Sequence, residues 1–114
     1  MSCPSDEAKS RQIAALNDEL RRTFGTGRVV MTAGFEALPG NTWLKAIKAV
    51  HTFSEFTSDN DPHCEHDFGH LVVDGVSLNW KIDYYDLSLT CHSPDPANPA
   101  LTQRVLTLML AEEY

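Results

Sequence analysis

The stretch HDFGHLVVDGVSLNWKIDYY, residues 66–85, decides the fold. Apolar and polar residues alternate on both sides of Asp74-Gly75, a dipeptide preferred in two-residue type I′ hairpin turns. Such a turn fixes the register, because a slip of one residue would move every side chain to the other face. The predicted register pairs Val73 with Val76, Leu71 with Leu78, His70 with Asn79, Gly69 with Trp80, Phe68 with Lys81, Asp67 with Ile82, and His66 with Asp83.

The second strand of this hairpin has one apolar face and one polar face. Successive side chains of a strand point to opposite sides, so the apolar face must lie on the core. That face carries Val76, Leu78, Trp80, Ile82 and Tyr84. The outer face carries Ser77, Asn79, Lys81, Asp83 and Tyr85, together with Phe68 and His70 of the first strand. Gly69 is expected to leave room for the Trp80 indole.

Two helices and a strand are predicted before the hairpin. Ser5 can cap a first helix, in which apolar residues from Ile13 to Phe24 recur at helical spacing. Residues 28–33 read as a short buried strand, and TWLKAIKAVHTF, residues 42–53, reads as the second helix.

The chain after the hairpin is predicted to form a third strand over 87–92 and a last helix. Asn98 is a good helix cap and Pro99 a good first helical residue, with the helix running to Tyr114. We therefore expect an α+β fold: a mostly antiparallel sheet of three to four strands, packed against about three helices. Residues 1–4 are expected to be a flexible tail, and residues 5–114 a single globular domain.

The charge is unevenly distributed along the chain. Residues 1–54 hold five acids and seven bases, whereas residues 55–114 hold eleven acids and only two bases, Lys81 and Arg104. The second half, with a balance of −9, would repel nucleic acid and attract basic surfaces.

The bulk composition is that of an ordinary soluble domain. No apolar run approaches the roughly 20 residues that span a bilayer, and the first residues lack a signal-peptide pattern. The three cysteines, Cys3, Cys64 and Cys91, are too few and too widely spaced for a disulfide framework, so reduced thiols are expected. These features predict a cytoplasmic protein without a membrane partner.

Two kinds of chemistry are candidates around TSDNDPHCEHDFGH, residues 57–70. The predicted pairing of His66 with Asp83 would orient an imidazole as a general base, with Tyr85 further along the same face. The second is a metal site, with His63, His66 and His70 as alternative ligands. Its spacing matches no closed zinc signature, so no cofactor is expected.

A protein interface is the third candidate. The outer sheet face presents aromatic residues beside the acidic segment, a combination typical of interfaces. The residues predicted to bind a partner are Asp59, Asp61, Glu65, Asp67, Phe68, Asp83, Tyr85 and Asp86.

Three segments together resemble a small bacterial family of domains of unknown function, one associated with plasmids and prophages. They are DNDPHCEHDFG (59–69), WKIDYYD (80–86) and SPDPANPALTQRVLTLMLAEEY (93–114), within a likeness that runs from about Ile13 to the C-terminus. The family usually has a small residue at the position of Cys64, so His63 and Cys64 are weak candidates for a shared function. The resemblance implies no activity, cofactor or catalytic residue. Its setting implies a protein that binds host machinery.

The sequence thus favours a non-enzymatic acidic binding protein. Such a protein would block a basic nucleic-acid-binding surface of a host protein or complex, as an anti-CRISPR inhibitor of a defence complex does, without binding nucleic acid itself. Two alternatives stay open. One is a small metal-dependent or acid–base hydrolase centred on His66, Asp83 and His70, and the other is a structural homodimer formed through the outer sheet face.

Overall fold

The computed structural model describes residues 7–114, so the predicted tail and the Ser5 cap lie outside the described residues. The fold is α+β, as predicted. The helices are α1 (Glu7–Thr23), α2 (Ala33–Glu36) and α3 (Gly40–Thr52); the strands are β1 (Arg28–Met31), β2 (Phe68–Val73), β3 (Val76–Tyr85) and β4 (Gln103–Leu110). Single turns of 3₁₀ helix cover Pro99–Leu101 and Ala111–Glu113.

The four strands form one sheet in the order β1-β4-β3-β2. The β2–β3 and β3–β4 pairs are antiparallel, and the β1–β4 pair is parallel. The hairpin register is as predicted from Phe68–Lys81 to Val73–Val76, and Gly75 adopts the positive φ that the turn requires. Ile82 N donates to Asp67 O at 2.9 Å, which extends the ladder by one pair.

The predicted C-terminal helix is wrong, because this segment is the central strand β4. Asn98 does cap a turn that starts at Pro99, its Oδ1 accepting from Ala100 N at 2.9 Å, but the turn ends at Leu101. Burial then alternates along β4. The abundance of leucine suggested a helical arc, whereas the period of two and the β-branched Val105 and Thr107 favour a strand.

The predicted strand over 87–92 is also wrong. Asp86 Oδ1 accepts from the backbone N–H groups of Thr90 and Cys91 at 3.1 and 3.4 Å, which closes a turn. Leu89 has a φ of 62° in that turn, and a lone bridge joins Tyr85 to His92. An aspartate side chain competes with ladder pairing for backbone donors, which explains the turn.

The core lies between the sheet and helices α1 and α3. Leu20 and Val50 of the helices pack with Trp80, Leu106 and Leu108 of the strands. The predicted apolar face of β3 is the one that faces this core. The opposite, outer face is partly covered by the C-terminal residues, with the Tyr114 ring 5.7 Å from that of Phe68.

Candidate functional site

Asp61 holds the turn that precedes β2. Its Oδ1 accepts from the backbone N–H groups of Glu65 and His66, both at 3.0 Å. Cys64 and His66 both have a φ of 56° within this turn. Asp61 is only 5% exposed, and its hydrogen bonds show that this carboxylate organises the backbone of the turn.

His66 contacts helix α1 instead of Asp83. Its Nδ1 lies 3.0 and 3.1 Å from the two carboxylate oxygens of Asp18, and its ring stacks on Phe56 at 3.9 Å. The predicted pairing of His66 with Asp83 is wrong, because β2 begins at Phe68 and the positive φ of His66 lies outside the strand. Asp83 accepts from Lys81 Nζ at 2.7 Å.

Sequence reasoning missed Asp18. The residue lies 48 positions before His66, and its helix gives no local signal that it meets the acidic segment. The same carboxylate accepts from Arg21 at 2.8 Å, so α1 supplies both a charge pair and the group that orients His66. His66 Nε2 is 3.8 Å from Asp61 Oδ2 on its other side.

A groove of about 480 Å³ opens beside His66, between α1 and the segment that precedes β2. Its polar lining includes Asp18, Asp61, Arg11 and Thr57. An imidazole fixed by a carboxylate at the wall of a groove has the geometry of a general base.

A second opening, which we call the acidic cavity, lies at the start of the hairpin. It has a volume of about 320 Å³ and is lined by Asp67, Ile82, Asp83, Tyr84, Tyr85 and His92. Burial and the neighbouring charges of Glu65 and Asp61 raise the pKa of Asp67. The environment of this carboxylate therefore opposes its negative charge.

A network of buried polar groups lies behind the acidic cavity. Asn17 Nδ2 donates to Tyr84 Oη at 2.8 Å, and Tyr84 Oη donates to Glu65 Oε1 at 3.0 Å. Arg104 Nε donates to Asn17 Oδ1 at 2.9 Å, and its guanidinium also contacts the carbonyl of Pro96. Burial, followed by the charges of Asp67 and Glu65, raises the pKa of Tyr84, and burial lowers the pKa of Arg104.

This network includes Arg104, one of the two bases among residues 55–114. Arg104 is only 4% exposed, so its charge is held inside the molecule and offsets that of Glu65. Lys81, paired with Asp83, is the other base. Among the contacts of the described residues, neither of these two bases pairs with Asp67.

The structure brings three of the predicted partner-binding residues together. Asp67, Asp83 and Tyr85 line the acidic cavity. The others lie elsewhere: Asp59 is exposed on the preceding segment, Asp61 and Glu65 serve the interior, Phe68 contacts Tyr114, and Asp86 closes its turn. The hydrogen bonds from Thr90, Ser88 and Cys91 lower the pKa of Asp86.

The three histidines proposed as metal ligands do not converge. His63 is exposed, His66 pairs with Asp18, and His70 Nδ1 is 2.7 Å from Asn79 Oδ1 on the outer face. Within residues 7–114 no group of three or more histidine, cysteine or acidic side chains has a metal-binding arrangement. The predicted hydrolase centre of His66, Asp83 and His70 is therefore not assembled.

The remaining sequence predictions concern thiols and membranes. Cys91 is free, but Cys64 is disulfide-bonded, so the expectation of reduced thiols is wrong for Cys64. Over the described part of the chain, no helix has the length and apolar character needed to cross a bilayer.

Comparison with known proteins places the chain in a family. The family described as protein of unknown function DUF3768 matches residues 31–113. The match begins at Met31, later than the likeness predicted from Ile13, so it includes the acidic cavity and omits α1. No curated protein and no solved structure matches. The match spans well over half of the sequence, and the chain therefore belongs to the DUF3768 family.

Proposed function

We propose that this chain is a non-enzymatic binding protein whose acidic cavity receives a basic side chain of a nucleic-acid-binding protein. Occupying that basic surface would exclude the nucleic acid. An inhibitor of a host defence complex, of the anti-CRISPR kind, is the most specific form of this proposal. The observation that carries it is the pair of carboxylates, Asp67 and Asp83, in one small cavity beside Tyr85, where an incoming cation would share Asp83 with Lys81.

The chemistry of the cavity suits a lysine or arginine. Carboxylates provide charge-assisted hydrogen bonds to either cation, and an aromatic face such as that of Tyr85 adds a cation–π contact. A bound cation would also offset the charges of Glu65 and Asp61 that raise the pKa of Asp67. Binding should then lower that pKa and release protons, so affinity should rise with pH through the range in which Asp67 titrates.

The charge of the whole domain supports the same partner. The acids of residues 55–114 outnumber the bases by nine, which would speed association with a basic surface and repel nucleic acid. The match to the family includes every residue that lines the acidic cavity, whereas the groove beside His66 draws Asp18 from outside the match.

A labelled oligo-arginine peptide tests the cavity directly. The wild-type protein should bind it in a salt-sensitive manner, and the double variant Asp67→Asn/Asp83→Asn should bind about tenfold more weakly. Glu36→Gln is the control, because Glu36 is an exposed acid on α2, away from the cavity lining. Equal weakening by the control would assign binding to net charge, and unchanged binding of the double variant would refute the role of the cavity.

A pull-down from nuclease-treated bacterial lysate tests the partner class. Recovery of a nucleic-acid-handling complex that is lost at high salt, and lost with the double variant, would support the proposal. A partner retained equally by the double variant would contradict it, because that partner would bind elsewhere on the protein.

Acid–base chemistry at His66 is the second candidate function, with Asp18 in place of the predicted Asp83. The observation that favours it is the imidazole held at 3.0 Å by Asp18 at the wall of the groove. A panel of chromogenic ester and phosphodiester substrates provides the test. Hydrolysis that persists unchanged in His66→Asn, or no hydrolysis of any substrate, would count against it, whereas loss in this variant with an intact fold would support it.

A further inference from the structure

Strand β2 ends the sheet with an unpaired edge. The two-residue turn makes Val73 and Val76 a hydrogen-bonded pair. Because this pattern alternates along an antiparallel strand, Val73, Leu71 and Gly69 direct their N–H and C=O groups toward β3. The bond from Ile82 N to Asp67 O confirms this alternation. The N–H and C=O groups of Phe68, His70 and Val72 therefore point away from β3, and no other described strand pairs with that edge.

The sequence and register of β2 lack features that usually prevent pairing with another chain, and residues 52–55 lie beside the strand across a groove of about 430 Å³ that His70, Leu71 and Val72 also line. Edge strands are commonly protected by lysine, proline, a bulge or a covering segment. The sequence of β2, FGHLVV, contains neither lysine nor proline, its register with β3 is uninterrupted, and Val72 is 61% exposed. With a neutral His70, the strand carries no formal charge in a protein whose net charge is −7.

We propose that two copies of this chain pair through β2, antiparallel about His70, and form one continuous eight-stranded sheet. The outward groups of Phe68, His70 and Val72 recur at every second residue and are symmetric about His70. Pairing His70 with its counterpart therefore joins Phe68 of each copy to Val72 of the other. All six outward N–H groups of the two strands find acceptors.

The side chains also match in this register. Phe68 of one copy lies opposite the exposed Val72 of the second, an aromatic and β-branched pair that stabilises antiparallel sheets. On the inner face, Gly69 lies opposite Leu71, so the two leucines are not forced against each other. A second copy suits the edge better than a basic ligand, because β2 itself offers no carboxylate. The backbone pairing must outweigh the repulsion between two chains of net charge −7, each with Glu55 in the groove beside the strand.

The pairing makes a specific prediction about proline. The N–H of Val72 points outward, so Val72→Pro removes a donor from the proposed interface without removing a bond of the β2–β3 hairpin. Proline also fits an edge strand whose N–H faces solvent. Val72→Pro should therefore stay folded and become monomeric.

A second variant tests the axis. His70→Lys would place two ammonium groups opposite each other, and like charges directly opposite destabilise a strand pair. His63→Lys is the matched control, since His63 is exposed in the turn before β2. It should leave the dimer intact.

Sedimentation velocity over a dilution series, together with amide exchange, provides the measurement. The wild type and His63→Lys should show twice the chain mass of 12.7 kDa at high concentration. Val72→Pro and His70→Lys should show the single mass. The amides of Phe68, His70 and Val72 should exchange slowly in the dimer and rapidly in His70→Lys.

Three outcomes would overturn the proposal. The first is a wild-type protein that stays monomeric at every concentration. The second is a dimer that survives both Val72→Pro and His70→Lys. The third is a dimer in which the outward amides of β2 exchange rapidly, because that dimer would use another surface. If Val72→Pro does not fold, as judged by circular dichroism, His70→Lys and the exchange data still decide the question.

Discussion

Gly69→Ala should be strongly destabilising, because the core leaves no room for a methyl group at this position. A Cβ at residue 69 would lie 2.3 Å from Trp80 Nε1, 2.6 Å from Trp80 Cε2 and 2.9 Å from Phe53 Cζ. Trp80 is fully buried and its ring is held by Phe53 and Phe56 at centroid distances of 5.5 and 6.1 Å. Neither ring can move aside without disturbing the core.

The expected cost follows from these contacts. Overpacking of a well-packed core costs about 1–3 kcal/mol, and two rigid aromatic neighbours place this site at the upper end. Replacing glycine by alanine also restricts the unfolded chain, which returns about 0.5 kcal/mol. We expect a net loss of about 2–3 kcal/mol, or a fall in melting temperature of roughly 10 °C for a domain of this size.

Urea denaturation followed by circular dichroism measures this loss, and a double-mutant cycle assigns it. Trp80→Leu removes the two indole atoms that the new methyl group would meet. Gly69→Ala should therefore cost about 1–2 kcal/mol less in the Trp80→Leu background than in the wild type. A loss below about 0.5 kcal/mol for Gly69→Ala alone, or an equal loss in both backgrounds, would refute the steric argument.

Two further predictions concern the groups around the acidic cavity. Asn17→Ala should lower the free energy of unfolding, measured in urea, by about 3 kcal/mol, because it leaves the buried Arg104 Nε without its acceptor and removes two donated bonds. The control Gln12→Ala loses one partly buried bond to Ala97 O and should cost about 1 kcal/mol. Equal costs would contradict the inference that Asn17 holds several buried groups together. Asp67→Asn should be more stable than the wild type at neutral pH, by less than about 1 kcal/mol because the group is partly exposed. The pKa of Asp67 in the folded protein is raised above 3.8, so the stability of the wild type rises as pH falls through that raised pKa. The stabilities of the two proteins should therefore converge below pH 3.8. A stability difference that does not depend on pH would show that the charge of Asp67 is not responsible.

The hairpin could be predicted from the sequence because its signals are local. Asp74-Gly75 selects the turn, and the turn fixes every pair from Phe68–Lys81 onward. The need for glycine at position 69 followed from the same register. Local rules also located α1 and α3, whose apolar residues recur at helical spacing.

The identity of β4 could not be derived in this way. Leu106, Leu108 and Leu110 recur with the period of a strand, but Val105 and Met109 are apolar residues on the other face. Together these five positions resemble the broad apolar arc of a helix. The segment forms a strand because it pairs with β1 on one side and with β3 on the other. Tertiary pairing therefore overrides the propensity of leucine for helices.

The same limitation applies to the candidate site. The predicted register placed Asp67 opposite Ile82, with Asp83 and Tyr85 on the outer face, and the sequence did not predict that the three would line one cavity. It did not predict that Asp18 would orient His66, because that contact joins α1 to a turn across 48 residues. Nor did it show that Asp61 and Glu65 would be consumed by hydrogen bonds in the interior.

The central position of β4 affects when the chain can fold during its synthesis on the ribosome. Arg28 of β1 pairs with Val105 of β4, so the partner of β1 is synthesised near the end of translation. Ile82 of β3 pairs with Leu106 of the same strand. The hairpin and the helices can form earlier and can already pack Trp80 against Phe53, but the core stays incomplete until Gln103–Leu110 supplies Leu106 and Leu108. Folding should therefore be a late and slow event, because the closure of long loops must precede the parallel pairing. During that interval the apolar surface that β4 later covers stays exposed, and such surface makes partly folded chains prone to aggregate.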